Sequence, residues 1–230
     1  MIYKPPIKDL KQKLKSEGFC FLPNIFSQDF WTQAMNSHYS RRVSHFNNLP
    51  VKKGAIIFIG DSITEQCNWS ELFDNPEILN RGIGGDVLEG VAKRLEFLKT
   101  SEPAALFLMI GINNMNRGDP NDEIFLEYKL LVEKIKKYNP STKLFLHSIL
   151  PINKKSFIGI PIASNEKIEV LNQNIQKLAG NLGIVYVDLY SHFLNSEREL
   201  DNKYSNDGLH INGEGYLLWK EVTKNYIYDI

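Results

Sequence analysis

Five short, mostly apolar runs follow Pro50, separated by segments in which apolar residues recur every three or four positions. Such runs are typical of strands buried on both faces, and the intervening spacing is typical of amphipathic helices. The runs are residues 55–59, 77–80, 104–110, 143–150 and 184–187. Their alternation with helical segments predicts parallel βαβ units with right-handed crossovers. We therefore expect an α/β fold: a three-layer α/β/α sandwich on a five-stranded parallel sheet, with the flavodoxin-like strand order 2-1-3-4-5.

The helical segments carry start and stop signals. Asp86, Asp119 before Pro120, and Asn212 are expected to start helices, and Gly183 is expected to end one. The expected buried faces include Val91 and Leu95, Ile124 and Leu131, Leu171 and Ile175, and Tyr216 and Trp219. Each helix is thus expected to pack one apolar face against the sheet.

The pattern is weaker over residues 1–50, which we expect to form an N-terminal helical extension packed on a main domain of residues 51–230. One short amphipathic helix is expected over Ile7–Lys15, and a second from a Ser27 cap towards Phe46.

The second of these helices carries two adjacent aromatic residues, Phe30 and Trp31. They indicate packing against the main domain, with a lid over a site or a dimer arm as the alternative. Its polar residues are expected to face solvent: His38, Arg41, Arg42 and His45. Two histidines with no carboxylate between them do not predict a metal site.

Composition and charge exclude several classes of partner. The 230 residues fit one sizeable domain, and 27 basic residues balance 27 acidic ones. A net charge of zero provides no field to attract nucleic acid or an acidic membrane. No apolar stretch approaches the ~18 residues of a membrane span. Without a secretory signal pattern, and with Cys20 and Cys67 not in CxxC spacing, we expect a cytoplasmic protein with free thiols.

Residues that could take part in catalysis follow three of the expected strands. Ser62 follows the first strand within Gly-Asp-Ser, Gly85 follows the second, and Asn113 follows the third. Because parallel strands all end at one edge of the sheet, these residues are expected to meet there. For Asp61 and Ser62 alone, a simple helix cap is the alternative.

A compact Asp-x-x-His turn lies near the C-terminus, at Asp207 and His210. The Asp207 carboxylate can accept from Nδ1–H of His210, which leaves Nε2 free to take a proton. A serine hydroxyl needs such a base to become a nucleophile, and attack on an ester also needs donors for the resulting oxyanion. Ser62, His210 and Asp207 are the expected catalytic residues. The backbone N–H groups of Ser62 and Gly85 are candidate oxyanion donors, with the side-chain amide of Asn113 as a third.

The four segments that contain Ser62, Gly85, Asn113 and the Asp207–His210 turn together resemble the four signature blocks of the SGNH, or GDSL, hydrolase family. The resemblance extends over about residues 52–228. The segments 81–86 and 111–114 are similar to those of the catalytic subunits of intracellular platelet-activating-factor acetylhydrolases and their bacterial relatives. The resemblance implies the same catalytic and oxyanion residues. One departure is Asn114, where many members have Asp, and it concerns the packing of that loop.

Other sequence patterns argue against alternative folds and nucleophiles. Thr64 stands where a Gly-x-Ser-x-Gly elbow needs its second glycine, and the glycines at 82–85 lack the Lys-Ser/Thr of a P-loop. His147, Cys67, Trp69 and Phe73 are expected to be core residues, with His147 hydrogen-bonded there.

We therefore expect a serine esterase that hydrolyses short, acetyl-type esters through an acyl-enzyme, with no cofactor and no metal. The substrate is expected to be a small ester, such as an O-acetylated sugar, a lysophospholipid or a xenobiotic ester. An acyltransferase, or a thioesterase or lysophospholipase, on the same residues is one alternative. A phosphate-binding flavodoxin-like module is another. A homodimer is an open alternative to a monomer.

Overall fold

The structure, a computed structural model, describes residues 28–50, 52–157 and 162–230, with side chains from residue 32 onward. The chain divides into two units after Ser37: residues 28–37 are the described part of the first, and residues 38–230 form the second. The expected helix over residues 7–15, the Ser27 cap and Cys20 lie outside the described residues.

A five-stranded parallel sheet organises the second unit, with the order β2-β1-β3-β4-β5 that the sequence predicts. The strands are β1 (Ile56–Gly60), β2 (Ile78–Gly82), β3 (Ala105–Met109), β4 (Lys143–His147) and β5 (Val185–Val187). The register aligns Gly60 with Gly82 on one side and with Met109 on the other. The carboxyl ends of the three strands that precede Ser62, Gly85 and Asn113 are therefore level with one another.

Helices connect and cover the strands. The first, α1 (Gln28–Asn48), precedes the sheet. The others are α2 (Ser62–Glu65), α3 (Trp69–Leu72), α4 (Leu88–Lys93), α5 (Leu98–Ser101), α6 (Ile112–Arg117), α7 (Asn121–Tyr138), α8 (Asn165–Leu182) and α9 (Gly213–Tyr228), with a 3₁₀ turn at Tyr190–Phe193. No helix in the described ranges combines the length and apolar character needed to cross a bilayer.

The two faces of the sheet form two separate cores because successive strand residues point to opposite sides. In β1, Ile57 and Ile59 pack in one core with α4, α7 and α8, and Ile56 and Phe58 pack in the other with α3 and α9. Every residue of β1 and β3 is buried, as the continuous apolar runs predict. This arrangement confirms the three-layer α/β/α sandwich.

Aromatic rings dominate the core beneath α3 and α9. Phe58, Phe107 and Phe145 are register partners on adjacent strands, and their rings stack with centroids 4.7 and 4.4 Å apart. Trp69 of α3 stacks on Phe58 at 4.0 Å. Offset stacking of this kind adds about 0.5–1.5 kcal/mol per pair to the burial of the rings. Trp69 and Phe73 are core residues, as expected.

His147 lies in this aromatic core, but the expectation that it is hydrogen-bonded there is wrong. Neither ring nitrogen has a partner within the described part of the chain. The imidazole packs edge-on to Trp219 with centroids 5.2 Å apart. Burial lowers the pKa of His147 to about 3, so the ring is neutral and serves as an apolar filler.

Two predicted helix starts are shifted. The helix expected to start at Asp86 begins instead at Leu88 with Val87 as its N-cap, because the Asp86 carboxylate accepts from Val87 N–H and from Arg94. This helix, α4, ends at Lys93, and α5 follows as a separate short helix. Pro120, not Asp119, precedes the first turn of α7, since the Asp119 carboxylate binds Arg117 instead. Asn212 caps α9 as expected, by accepting from Gly215 N–H at 3.1 Å.

Candidate active site

Ser62 is the first residue of α2, immediately beyond the carboxyl end of β1. Asp61 caps this helix, and its Oδ1 accepts from the N–H of Ile63 at 3.0 Å. The cap therefore exists, but it is formed by Asp61 alone. The hydroxyl of Ser62 remains available for another partner.

That partner is His210, which lies in the turn between β5 and α9. Gly208 has a φ of +78°, a conformation that a glycine adopts without strain and that reverses the chain between Asp207 and His210. Asp207 Oδ1 accepts from the backbone N–H groups of Leu209 at 2.9 Å and His210 at 2.8 Å. The turn is therefore held by the same carboxylate that contacts the imidazole.

Three side chains form one hydrogen-bonded chain. His210 Nδ1–H donates to Asp207 Oδ2 at 2.7 Å, because an ionised carboxylate can only accept. This bond assigns the other nitrogen, Nε2, as the acceptor of the Ser62 hydroxyl at 3.0 Å. The nucleophile, base and orienting acid expected from the sequence are therefore within hydrogen-bonding distance of one another.

Asp207 is suited to remain ionised in this chain. Burial acts to raise its pKa, but the hydrogen bonds from His210 and from the two backbone N–H groups outweigh it and leave the pKa below its usual value. A negative carboxylate at this position can stabilise a positive charge on the His210 imidazole.

The turns after β2 and β3 meet beside Ser62. Gly85 has a φ of +73°, which favours glycine, and its backbone is exposed. Asn113, in the first turn of α6, donates one amide hydrogen to the carbonyl oxygen of Asp86 at 2.9 Å. The second hydrogen of this amide is left for another acceptor. Neither Gly85 N–H nor Ser62 N–H donates to another group in the described part of the chain.

A buried ion pair supports this arrangement, although the sequence does not single it out. Arg94 donates to Asp86 Oδ2 at 2.8 Å, and both side chains are almost fully buried. The same guanidinium donates to the carbonyl oxygens of Arg81 at 2.7 Å and Gly60 at 3.1 Å. Burial raises the pKa of Asp86 and lowers that of Arg94, so each charge depends on the other. Arg94 thus joins the ends of β1 and β2 to the residue that follows Gly85.

Asn114, the departure from the family pattern, is well accommodated. It is fully buried, and its Oδ1 accepts from Leu88 N–H at 3.1 Å. Its Nδ2 donates to Asp119 Oδ2 at 3.1 Å, with the carboxylates of Glu89 and Glu127 within 3.4 and 3.5 Å. A donor fits among three carboxylates, whereas an Asp would add a fourth negative charge.

Ser205 is a second supporting residue that the sequence does not single out. This buried residue accepts from Gly208 N–H at 3.0 Å and donates to the carbonyl oxygen of His210 at 2.7 Å. It therefore closes the Asp207–His210 turn from behind. Neither a motif nor a periodicity marks such a residue, because its role depends on how the turn folds.

Cys67 does not compete with Ser62 as a nucleophile. It is 5% exposed, and burial raises the pKa of its thiol to about 12. Only the thiolate is reactive, so this thiol is inert near neutral pH. The structure agrees with the sequence-based prediction that Cys67 is a packing residue.

The buried carboxyl of Asp61 makes stability depend on pH. Burial raises its pKa to about 7, and its Oδ2 has no partner among the described residues. In an unfolded chain the same carboxyl titrates near 3.8. Between these values the native state keeps a proton that the unfolded state has lost, so the free energy of unfolding falls as the pH rises.

We expect Asp61→Asn to remove this dependence, because Asn keeps the cap and cannot ionise. Between about pH 4 and pH 8, the variant should gain up to about 4 kcal/mol in unfolding free energy relative to the wild type. Urea denaturation at a series of pH values measures this. The exposed Asp122→Asn is the matched control. Parallel curves for wild type and Asp61→Asn would show that Asp61 is ionised throughout.

A parallel five-stranded sheet with a hydrogen-bonded Ser-His-Asp chain at its carboxyl edge is typical of serine hydrolases on a flavodoxin-like fold. The sequence model of the GDSL-like lipase/acylhydrolase family matches residues 58–218, a segment that includes all four signature blocks. The chain belongs to this family, which confirms the resemblance inferred from the sequence, and it is an ester-hydrolysing enzyme.

Among curated proteins, the chain is 28% identical over 172 residues to the Homo sapiens platelet-activating factor acetylhydrolase IB subunit alpha1, covering 72% of this chain and 71% of that protein. Among solved structures, it is similar to a Streptococcus pneumonia protein described as a platelet activating factor, with 29% identity, a TM-score of 0.80, and coverage of 89% and 100%. A GDSL-like lipase from Bacteroides thetaiotaomicron has 25% identity, a TM-score of 0.71, and coverage of 83% and 97%.

Proposed function

We propose that this enzyme is a serine esterase that hydrolyses short-chain, acetyl-type carboxylic esters through an acyl-enzyme. The observation that carries the proposal is the unbroken chain from Asp207 through His210 to the Ser62 hydroxyl, at 2.7 and 3.0 Å. A neutral serine is a weak nucleophile, and this contact supplies the base that it needs.

In the proposed reaction, Ser62 Oγ attacks the ester carbonyl carbon while its proton passes to Nε2 of His210. The resulting tetrahedral oxyanion collapses, the ester C–O bond breaks, and His210 gives the proton to the departing alcohol. A water molecule then attacks the acyl-enzyme with His210 as base, which releases the carboxylic acid and restores Ser62. Asp207 stays ionised and holds the tautomer of His210 throughout.

The oxyanion is proposed to bind the N–H groups of Ser62 and Gly85 and the free amide hydrogen of Asn113. Support comes from the two unpartnered backbone donors and from the bond that fixes the Asn113 amide to the Asp86 carbonyl. A donor held in place before the reaction needs no reorganisation when charge develops, and one such donor contributes about 3–4 kcal/mol.

A short acyl group is favoured by the packing on one side of the site. The apolar space lined by Asp61, Ile63 and Leu209, which flank Ser62 and His210, has no room for a water molecule. These described residues therefore leave no tunnel there for a long chain. The name of the human relative, an acetylhydrolase, points to the same substrate class.

A panel of 4-nitrophenyl esters of increasing acyl length tests this proposal. We expect kcat/KM to be highest for acetate and to fall at least about tenfold beyond about four carbons, since each poorly accommodated methylene costs on the order of 1 kcal/mol or more. Equal or faster hydrolysis of long-chain esters would favour a lysophospholipase. Products formed mainly by transfer to an added sugar acceptor would favour an acyltransferase.

We also propose a cytoplasmic location. Its support is the absence of CxxC spacing and the buried, free thiol of Cys67. Microscopy of a tagged full-length chain tests it.

A further inference from the structure

Glu65 connects three parts of the molecule that surround the site. It is the last residue of α2, three positions after Ser62, and its side chain is 19% exposed. Its Oε2 accepts from the backbone N–H of Gly84 at 2.6 Å and contacts Nε2 of His38 at 3.0 Å. Its Oε1 forms an ion pair with Nε of Arg42 at 2.8 Å.

The two basic partners belong to α1, in its part from His38 onward. His38 and Arg42 are expected from the sequence to face solvent, but both are only partly exposed and both contact Glu65. Because the carboxylate can only accept, Nε2–H of His38 donates to it. A second link holds this part of α1, since the Tyr39 hydroxyl donates to the carbonyl oxygen of Gly90 at 2.8 Å.

The loop that Glu65 holds has few other restraints. Ile83 N–H donates to the carbonyl of Gly60 at 3.1 Å, and Asp86 N–H donates to the carbonyl of Ile83 at 3.1 Å. Between these two bonds, the bond from Gly84 N–H to Glu65 fixes the Ile83–Gly84 peptide, one residue before Gly85. Charge-assisted hydrogen bonds of this length are about twice as strong as neutral ones.

We propose that Glu65, braced by His38 and Arg42, is a positioning residue that holds the Gly84–Gly85 segment so that Gly85 N–H meets the oxyanion. The proposal rests on the esterase function proposed above. It also gives the part of α1 from His38 onward, which lies outside the segment matched by the family, a role in the active site. Glu65 acts through Gly85 and does not touch the substrate.

The test compares Glu65→Ala with Glu65→Gln, because Gln keeps a neutral oxygen acceptor for Gly84 N–H. Kinetics on 4-nitrophenyl acetate are combined with inhibition by a short trifluoromethyl ketone. Ser62 Oγ adds to the ketone carbon, the Ser62 proton passes to His210, and the ketone oxygen becomes an oxyanion. Inhibitor affinity therefore reports on oxyanion binding separately from KM.

We expect Glu65→Ala to lower kcat about 10- to 100-fold, a smaller effect than removal of an oxyanion donor itself. The affinity for the ketone inhibitor should fall by the same factor. KM should stay within about twofold, since ground-state binding is not altered. Glu65→Gln should recover most of the loss. Glu77→Ala, an exposed carboxylate paired with Lys52, is the matched control and should behave as wild type.

Wild-type kcat in Glu65→Ala, or a lower kcat with unchanged ketone affinity, would overturn the proposal. If the alanine variant fails to fold, the double variant His38→Leu/Arg42→Met replaces it, because neither new side chain can donate to Glu65 and the carboxylate stays in place. It should lower kcat and ketone affinity together by about 3- to 10-fold, and unchanged values would overturn the proposal. Failure of the proposed esterase function would be seen separately, as wild-type protein without turnover.

Discussion

The Ser62→Ala variant is expected to lose at least about 10⁴-fold of kcat on 4-nitrophenyl acetate while remaining folded. The alanine keeps the backbone N–H but removes the oxygen atom that is proposed to form the acyl-enzyme. Among the described residues the hydroxyl makes one hydrogen bond, to His210, so its loss should change the unfolding free energy by no more than about 1 kcal/mol. Discontinuous assays of product formation at high enzyme concentration measure the residual rate.

Ser70→Ala is the matched control, because Ser70 is exposed on the neighbouring helix α3. It should retain wild-type kcat. A Ser62→Ala variant with more than about a tenth of wild-type activity would mean that another group is the nucleophile or that water is activated directly.

Arg94→Met is expected to lower the free energy of unfolding by about 3–5 kcal/mol. Methionine fills part of the volume but leaves Asp86 buried without its partner and removes donors from the carbonyls of Arg81 and Gly60. Because Asp86 also holds Asn113, the folded fraction should show a lower kcat as well. Urea denaturation followed by circular dichroism measures the stability, and Lys93→Met, at the exposed preceding position, is the control.

A double-mutant cycle separates the contribution of the ion pair to the unfolding free energy from the contribution of side-chain packing. Asp86→Asn/Arg94→Met should be less destabilised than the sum of the two single variants, since neither charge is then left alone. Strict additivity would contradict the claim that the two groups stabilise each other.

The sheet and the arrangement of the candidate catalytic residues could be predicted because both follow from local sequence patterns. A continuous apolar run such as 55–59 fits a strand buried on both faces, and this burial pattern is found in β1. Once the strands are parallel, Ser62, Gly85 and Asn113 must follow the same edge. The Asp207–His210 contact spans only three residues, so the turn alone could predict it.

The supporting contacts could not be predicted, because they join residues far apart in the chain. Arg94 reaches Gly60 across 34 positions, and His38 reaches Glu65 across 27. Each looks in sequence like an ordinary charged helical residue. The start of α4 was also missed, because the Asp86 carboxylate accepts from Val87 N–H and from Arg94 instead of capping the helix.

The most direct measurement is the mass of the enzyme trapped during turnover. Wild-type protein is mixed with 4-nitrophenyl acetate, quenched in acid within the first turnovers, digested and analysed by mass spectrometry. The account predicts one added acetyl group on the peptide containing Ser62, and none in Ser62→Ala. An acetyl group on a different residue that turns over at the catalytic rate, or rapid hydrolysis with Ser62 never acylated, would contradict it.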